Sequence, residues 1–449
     1  MHEKREYWSS RLGFILATIG SAIGLGSIWK FPYEVGTNGG GAFVLCYLLG
    51  LGVIVFPLML VEFALGRHGR ADAVRSIAAA TAESAASRRW RAVGALGILT
   101  AFLILSFYSV IGGWTLAYSI DTISSGLPAG TADDVKARFD ALLASPGRMV
   151  AYHAAFMALT AFIVARGIAG GIEAACKILM PILMALLVVL SIYATAQGDL
   201  TAALRFLFAV HVSDITAKVA LEAVGLGFFS IGVGLAIMIT YGAYAAEDIN
   251  LRTVAIATIM GDTAVSCLAG LAVFPIVFAE KLDPAGGPGL MFVTLPLAFA
   301  RLPLGTLAGI AFFVLLAIAG LASAISLLEM PVAYFHQRGW PRVTATAISA
   351  AACWLLGWIS VLSFNRWAAW FPLGGIPEFR TATWFDLLDQ LTSNMLLPAG
   401  GLGLAILAGW VLPPSLLVHE LRLSRGGAAI LRVLLRYVVP CAIVLGRPK

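Results

Sequence analysis

Residues Gly20–Pro32, GSAIGLGSIWKFP, break an otherwise apolar run near the N-terminus with three glycines, with Ser21, Ser27 and Lys30, and with a closing proline. Within a bilayer no solvent pairs with an exposed peptide group, so irregular backbone persists only where it lines a cavity or is buried in protein. The freed carbonyls and amides then act as ligands. This stretch is therefore expected to be a binding site.

The rest of the chain supplies the setting. Of 449 residues, 60% are hydrophobic and 12% charged, a balance too apolar for a soluble enzyme. The apolar runs are continuous over about 20 residues, which predicts helices and not the short alternating strands of a barrel. The net charge of +6 does not point to nucleic acid, because the basic residues cluster between alternate spans. They lie at Lys4, Arg5 and Arg11, at Arg67, Arg70, Arg75, Arg88, Arg89 and Arg91, at Arg338 and Arg342, and at Arg422, Arg425 and Arg432. The positive-inside rule makes these loops cytoplasmic. Cys46, Cys176, Cys267, Cys353 and Cys441 have no metal-like spacing and read as packing residues.

Apolar runs near 11–35, 42–66, 92–122, 150–166, 174–196, 220–244, 252–278, 303–335, 343–363, 384–412 and 429–446 predict eleven spans. A cytoplasmic N-terminus and an outside C-terminus follow, in a cell inner membrane, with the acidic segment 123–149 outside. The first eleven residues are charged and no cleavable signal is expected. A second break, FFSIGVGLA at Phe228–Ala236, lies in the sixth span. Elements five spans apart point in opposite directions, so the two breaks predict an inverted-topology repeat of about 11–196 and 220–412, with 429–446 as an extra span, in a single transmembrane domain.

Several segments carry a family resemblance in order along nearly the whole chain. They are KREYWSSRLGFILATIGSAIGLGSIWKFPYEVGTNGGGAF, VEFALGR, SFYSVIGGWTL, RGIAGGIEAACKILMP, FFSIGVGLA, AGLASAISLLEMP and LLPAGGL. The set resembles the neurotransmitter:sodium symporter family, especially its bacterial amino-acid branch, which includes eleven-span members. The resemblance implies an all-α fold with broken spans 1 and 6, five-plus-five symmetry, and uptake of an amino acid with sodium.

The substrate site follows residue by residue. Backbone amides around Gly24, Leu25 and Gly26 can hold a carboxylate, since glycine permits close approach. By resemblance the Tyr108 hydroxyl joins them, while carbonyls of Ala22, Phe229 and Ser230 take the ammonium. Read alone, Tyr108 would pass for an interfacial or core tyrosine; its matching surroundings favour the site. Ile104, Phe229, Gly232, Leu235, Ser323 and Leu327 match the family's side-chain pocket. None is charged, so a charged substrate side chain would be desolvated without a partner at a cost of several kcal/mol. Gly232 and Leu235 stand where bacterial members carry serine and phenylalanine, which enlarges the pocket toward larger aliphatic or aromatic amino acids.

For cations, the resemblance assigns Ala22, Ser27, Ser230 and Asp262 to a first sodium site, and Gly20, Ile23, Ala319 and Ser323 to a second. Ser27 and Asp262 replace family asparagines, and Ala322 replaces a hydroxyl or acid. One or two ions are therefore compatible with the residues. An acid at mid-membrane is costly and functional by default, with a partnered structural acid as the alternative. A resident Asp262 carboxylate would supply the negative charge that chloride gives related members, so no chloride requirement is expected.

Lys30 and Asp389 match an outer gate pair and Phe229 an aromatic lid; Arg5 and Trp8 match the inner gate. The stretch HQRGW from His336 offers no acid to Arg5. Glu62 is expected to accept hydrogen bonds from the broken sixth span, and Gly171 with Pro181 matches a fifth-span unwinding motif. The leading reading is a symporter of neutral hydrophobic amino acids, acting as a monomer or weak homodimer. A proton-coupled or exchange transporter of the same fold, and a non-transporting sensor, are the alternatives. No nucleophile and base, nor any metal-like cluster, can be placed for an intramembrane enzyme.

Overall fold

Each apolar run of the sequence becomes helix in the computed structural model, which describes residues 6–84, 86–128, 130–284 and 289–445. Polar side chains fix several of the starts by taking up the amides that a first turn leaves unpaired. Ser10 caps the first span through the Gly13 amide at 3.0 Å. Thr216, Asn250 and Ser424 cap the sixth, seventh and eleventh.

Among the described residues, nine helices are long and apolar enough to cross a membrane, and the pair Arg11–Ala22 and Gly26–Thr37 forms a tenth crossing bent by 50°. The helices Ala217–Ile231 and Ile237–Ala243 lie at the place of the expected sixth span. The others are Gly41–Gly69, Arg88–Ser125, Pro146–Ala165, Ile168–Gln197, Leu251–Ala279, Gly305–His336, Arg342–Ser363, Trp384–Val411 and Arg425–Leu445.

Burial separates a centre from a periphery. The apolar stretches of the third and eighth spans are 72% and 78% buried by protein, against 22% for the eleventh. The first pair therefore forms the spine against which the broken helices pack; the eleventh faces lipid. Five short helices, Ala73–Glu83, Ala132–Leu143, Leu200–Phe208, Leu290–Arg301 and Pro414–Leu421, were not separable from loops in the sequence. Two of them close one end of the site. Phe139 and Phe292 stack at 5.2 Å, and Phe292 also packs edge-on against Trp29 and Trp114.

Both breaks have a backbone cause. In the first span Ile23 adopts an extended conformation that ends the helix. In the sixth, Gly232, Gly234 and Ala236 all have positive φ, at 74°, 89° and 61°. Glycine takes this region freely, whereas Ala236 bears a Cβ penalty of about 1–2 kcal/mol. Glu62 compensates by accepting the Gly234 amide at 2.6 Å and the Met238 amide at 3.2 Å. Lipid could not have satisfied those amides; a buried carboxylate does. The fifth span starts with a wide turn at Ile168–Glu173 and then continues as helix through Pro181.

Candidate substrate and cation site at the two helix breaks

A central cavity of about 30 Å³ lies where the two breaks meet the third and eighth spans. Every residue expected at the substrate site lines it except Leu25. Leu25 lines the space above, and its amide donates to the Tyr108 hydroxyl at 3.1 Å. The tyrosine thus already holds a freed amide of the first break. Ser21, Ile237 and Ser326 also line the cavity and were not foreseen. The Ser21 hydroxyl donates to that of Ser326 at 3.0 Å, which donates to the Ser323 carbonyl at 2.7 Å. Ser21 lies in the stretch that marked the first break, whereas Ser326 sits in an apolar helical pattern that gave no signal.

Gly24 marks the closest approach. A Cβ there would lie 2.8 Å from the Tyr108 hydroxyl oxygen and collide with the Ser323 hydroxyl. Overpacking of this kind costs about 1–3 kcal/mol. Gly24→Ala is expected to weaken binding of a labelled hydrophobic amino acid about tenfold in purified protein while leaving the melting temperature close to wild type. Unchanged affinity would remove Gly24 from the site.

The expected first cation site forms a compact set of oxygens. The Ser27 hydroxyl oxygen lies 2.6 Å from Asp262 Oδ1, 2.9 Å from Ser230 Oγ and 3.4 Å from the Ala22 carbonyl oxygen. Ser230 donates to the same Asp262 oxygen at 2.7 Å. Tyr47 from the second span donates to the other at 2.5 Å. All four side chains are buried. A carboxylate with two hydroxyls and a carbonyl is the donor set a hard monovalent cation takes, so the residues present fit sodium. Tyr47 was missed because an aromatic in an apolar run reads as packing.

The second set is less complete. Gly20, Ile23, Ala319 and Ser323 are all buried on the facing first and eighth spans. Ser323 donates to the Ser21 carbonyl at 3.2 Å, one residue on from the expected Gly20. Ala322 is buried beside it without a side-chain oxygen.

At the outer mouth the expected ion pair does not form. Lys30 and Asp389 both line a cavity of about 170 Å³, yet no ion pair joins them among the described residues. The Lys30 ammonium sits 4.6 Å from the centre of the Phe229 ring instead, and Asp389 accepts from Ser393 at 2.8 Å. An ammonium is a compact point charge without the two-pronged reach of a guanidinium, and here the aromatic face takes it. Phe229 lines both this cavity and the central one, as a lid between them would.

The inner mouth holds an ion pair that the sequence reading did not name. Arg5 lies outside the described residues. Trp8 is buried, with its indole N–H on the Tyr241 carbonyl at 3.0 Å and its amide on the Tyr244 carbonyl at 3.2 Å. An acid is present after all, inside the eighth span and not after it. Glu329 binds Arg342 of the ninth span at 2.5 Å and accepts from Tyr244 at 2.8 Å. Arg342 also holds Glu6 at 2.6 Å. Burial pushes the Glu6 carboxyl above the usual carboxylate range, while Arg342 pulls it back. Ser9, Ser10 and Lys177 converge on Glu173 of the fifth span, which pins the start of the first.

Two helix breaks around a central cavity, a cluster of hard oxygens, and charged and aromatic side chains at each mouth define a secondary transporter with discontinuous helices. The chain belongs to the sodium:neurotransmitter symporter family, whose model matches residues 5–141 and 136–364. It is a multi-pass membrane transporter and not an enzyme. It is similar to the uncharacterized sodium-dependent transporter YhdH of Bacillus subtilis, at 36% identity over 99% of this chain and 97% of that protein. An uncharacterized sodium-dependent transporter of Haemophilus influenzae is 32% identical over 92% of this chain and 90% of its own length. Among solved structures, that of MhsT in complex with L-phenylalanine superposes with a TM-score of 0.89 at 41% identity, covering 98% of this chain and 99% of that one.

Proposed function

We propose that the chain is a symporter that imports neutral hydrophobic L-amino acids, aliphatic or aromatic, coupled to sodium and independent of chloride. The carrying observation is the central cavity, whose lining is uncharged apart from the backbone ends of two broken helices. Amides of the first break with the Tyr108 hydroxyl suit the substrate carboxylate; the Ala22, Phe229 and Ser230 carbonyls suit its ammonium. Ile104, Gly232, Leu235 and Leu327 leave only apolar contacts for the side chain. The phenylalanine bound by the similar MhsT supports this class of substrate.

Coupling rests on shared ligands. Ser230 belongs to the broken sixth span and Ala22 to the broken first, so a cation among Ser27, Ser230 and Asp262 would tie together the two elements that also hold the substrate. Its charge would balance Asp262, and its binding would favour the closed arrangement around the amino acid. Gly20, Ile23, Ala319 and Ser323 are proposed for a second, weaker ion. The remaining assignments are a cell inner membrane with the N-terminus cytoplasmic and the C-terminus outside, five-plus-five inverted repeats, and a monomer or weak homodimer.

A proton-coupled or exchange mode is the second reading, since Ala322 gives the second ion set no side-chain oxygen and Asp262 is a fully buried carboxyl. Binding of labelled tryptophan, phenylalanine, leucine and methionine to purified protein separates the readings, with sodium, potassium and pH varied independently. Mutual displacement and at least tenfold tighter binding in sodium than in potassium are expected. Affinity that follows pH and ignores sodium would establish the second mode. Capture of a basic amino acid in preference to these four would overturn the substrate class.

A further inference from the structure

A groove of about 370 Å³ runs between the second, seventh and eleventh spans, away from the transport path. Phe56, Leu60, Ile256, Ile430 and Leu434 make most of it apolar, as a surface facing acyl chains requires. One lining residue is charged. Arg252, in the first turn of the seventh span, has its Nε buried and without a hydrogen-bond partner. No ion pair reaches its guanidinium among the described residues. Neighbouring arginines are treated otherwise: Arg67 is held by Glu420 and the Ile249 carbonyl, and Arg342 by two carboxylates. A buried donor without an acceptor is costly, and the rest of the partly exposed guanidinium is open to a ligand that would pair with it.

The residues that line the groove include no acid, and two helix starts add positive potential. The N-terminus of the seventh span, capped by Asn250, opens beside Arg252, and Gly427 brings the first turn of the eleventh span to the same groove. Helix N-termini favour anions. The ligand that supplies a phosphate and long apolar chains together is a membrane lipid.

We infer that this groove binds one anionic glycerophospholipid, with its phosphate on Arg252 and an acyl chain along Ile256, Ile430 and Leu434. Arginine pairs with phosphate through two parallel hydrogen bonds, which a zwitterionic headgroup with its own ammonium shares less readily. The site is independent of the substrate reading above.

Native mass spectrometry of the delipidated full chain, given equal amounts of phosphatidylglycerol and phosphatidylcholine, tests it. Wild type should retain one phosphatidylglycerol with about tenfold preference. Arg252→Gln should lose the preference, and Arg252→Lys should keep part of it. Arg425→Gln, at an exposed arginine outside the groove, should leave it intact, and Leu431→Trp, which fills the groove, should abolish retention of both lipids. Equal retention of the two lipids by wild type, or the same loss from Arg425→Gln as from Arg252→Gln, would overturn the site. So would a lipid-free wild-type dimer that Leu431→Trp converts to monomers, since the groove would then belong to a second copy of the chain.

Discussion

Uptake by an Asp262→Asn variant is expected to fall roughly ten- to a hundredfold in chloride-free medium, and to recover in part when chloride replaces gluconate. The reason is the convergence of Ser27, Ser230 and Tyr47 on one carboxylate. Hydrogen bonds to a charged group contribute about 1.5–3 kcal/mol each, and a neutral amide keeps the shape but not the charge. Without that charge, a sodium ion among the same oxygens leaves the site net positive in a low-dielectric interior. A diffusible anion would restore the balance. Wild-type uptake should be unaffected by the same exchange of chloride for gluconate. Chloride dependence of the wild type, or a variant indifferent to the anion, would contradict the assignment of Asp262 as resident counter-charge.

Arg342→Ala is expected to open the inner mouth. It leaves Glu329 buried with only Tyr244, and frees Glu6. Breaking a buried ion pair by removing one partner costs about 3–5 kcal/mol. Only the share carried by Glu6, which opening parts from Arg342, biases the two mouths, and about 1.4 kcal/mol of it shifts that equilibrium tenfold. Cys176 is a built-in reporter: it is buried and free, and it faces Gly20 beside the inner pathway. Its rate of modification by a thiol reagent, read by peptide mass to separate it from the other cysteines, should rise at least tenfold while concentrative uptake is lost. Tyr244→Phe removes only one hydrogen bond and should give a smaller rise. An unchanged Cys176 rate in Arg342→Ala would show that the mouth is held shut by Trp8 and its packing alone.

The spans were legible because bilayer thickness imposes a length and apolarity that few other structures share. The breaks were legible for the converse reason, since glycines and serines in such a run need a purpose. Residues expected at the substrate site from the family pattern, such as Gly24, Tyr108 and Ser323, line one cavity. What escaped notice was partnership. Glu329 sits in LLEMP within a continuous apolar run, and Arg342 read as a loop charge; neither announces the other across the fold. Tyr47 looked like packing until Asp262 was found beside it. Lys30 and Asp389 show the opposite failure: matching positions predicted a pair, but the shorter reach of lysine and the adjacent Phe229 ring gave another contact. The five short helices were lost because each is amphipathic over too few turns to stand out from a loop.

The Arg342–Glu329 pair joins two spans that follow each other in the chain, whereas Glu6 and Tyr244 arrive from the N-terminal segment and the sixth span. Movement of the broken helices can therefore leave the deepest ion pair whole and part only the outer contacts. An exit lined by an intact pair would present no net charge to the zwitterionic cargo proposed above, whichever pole of it leads.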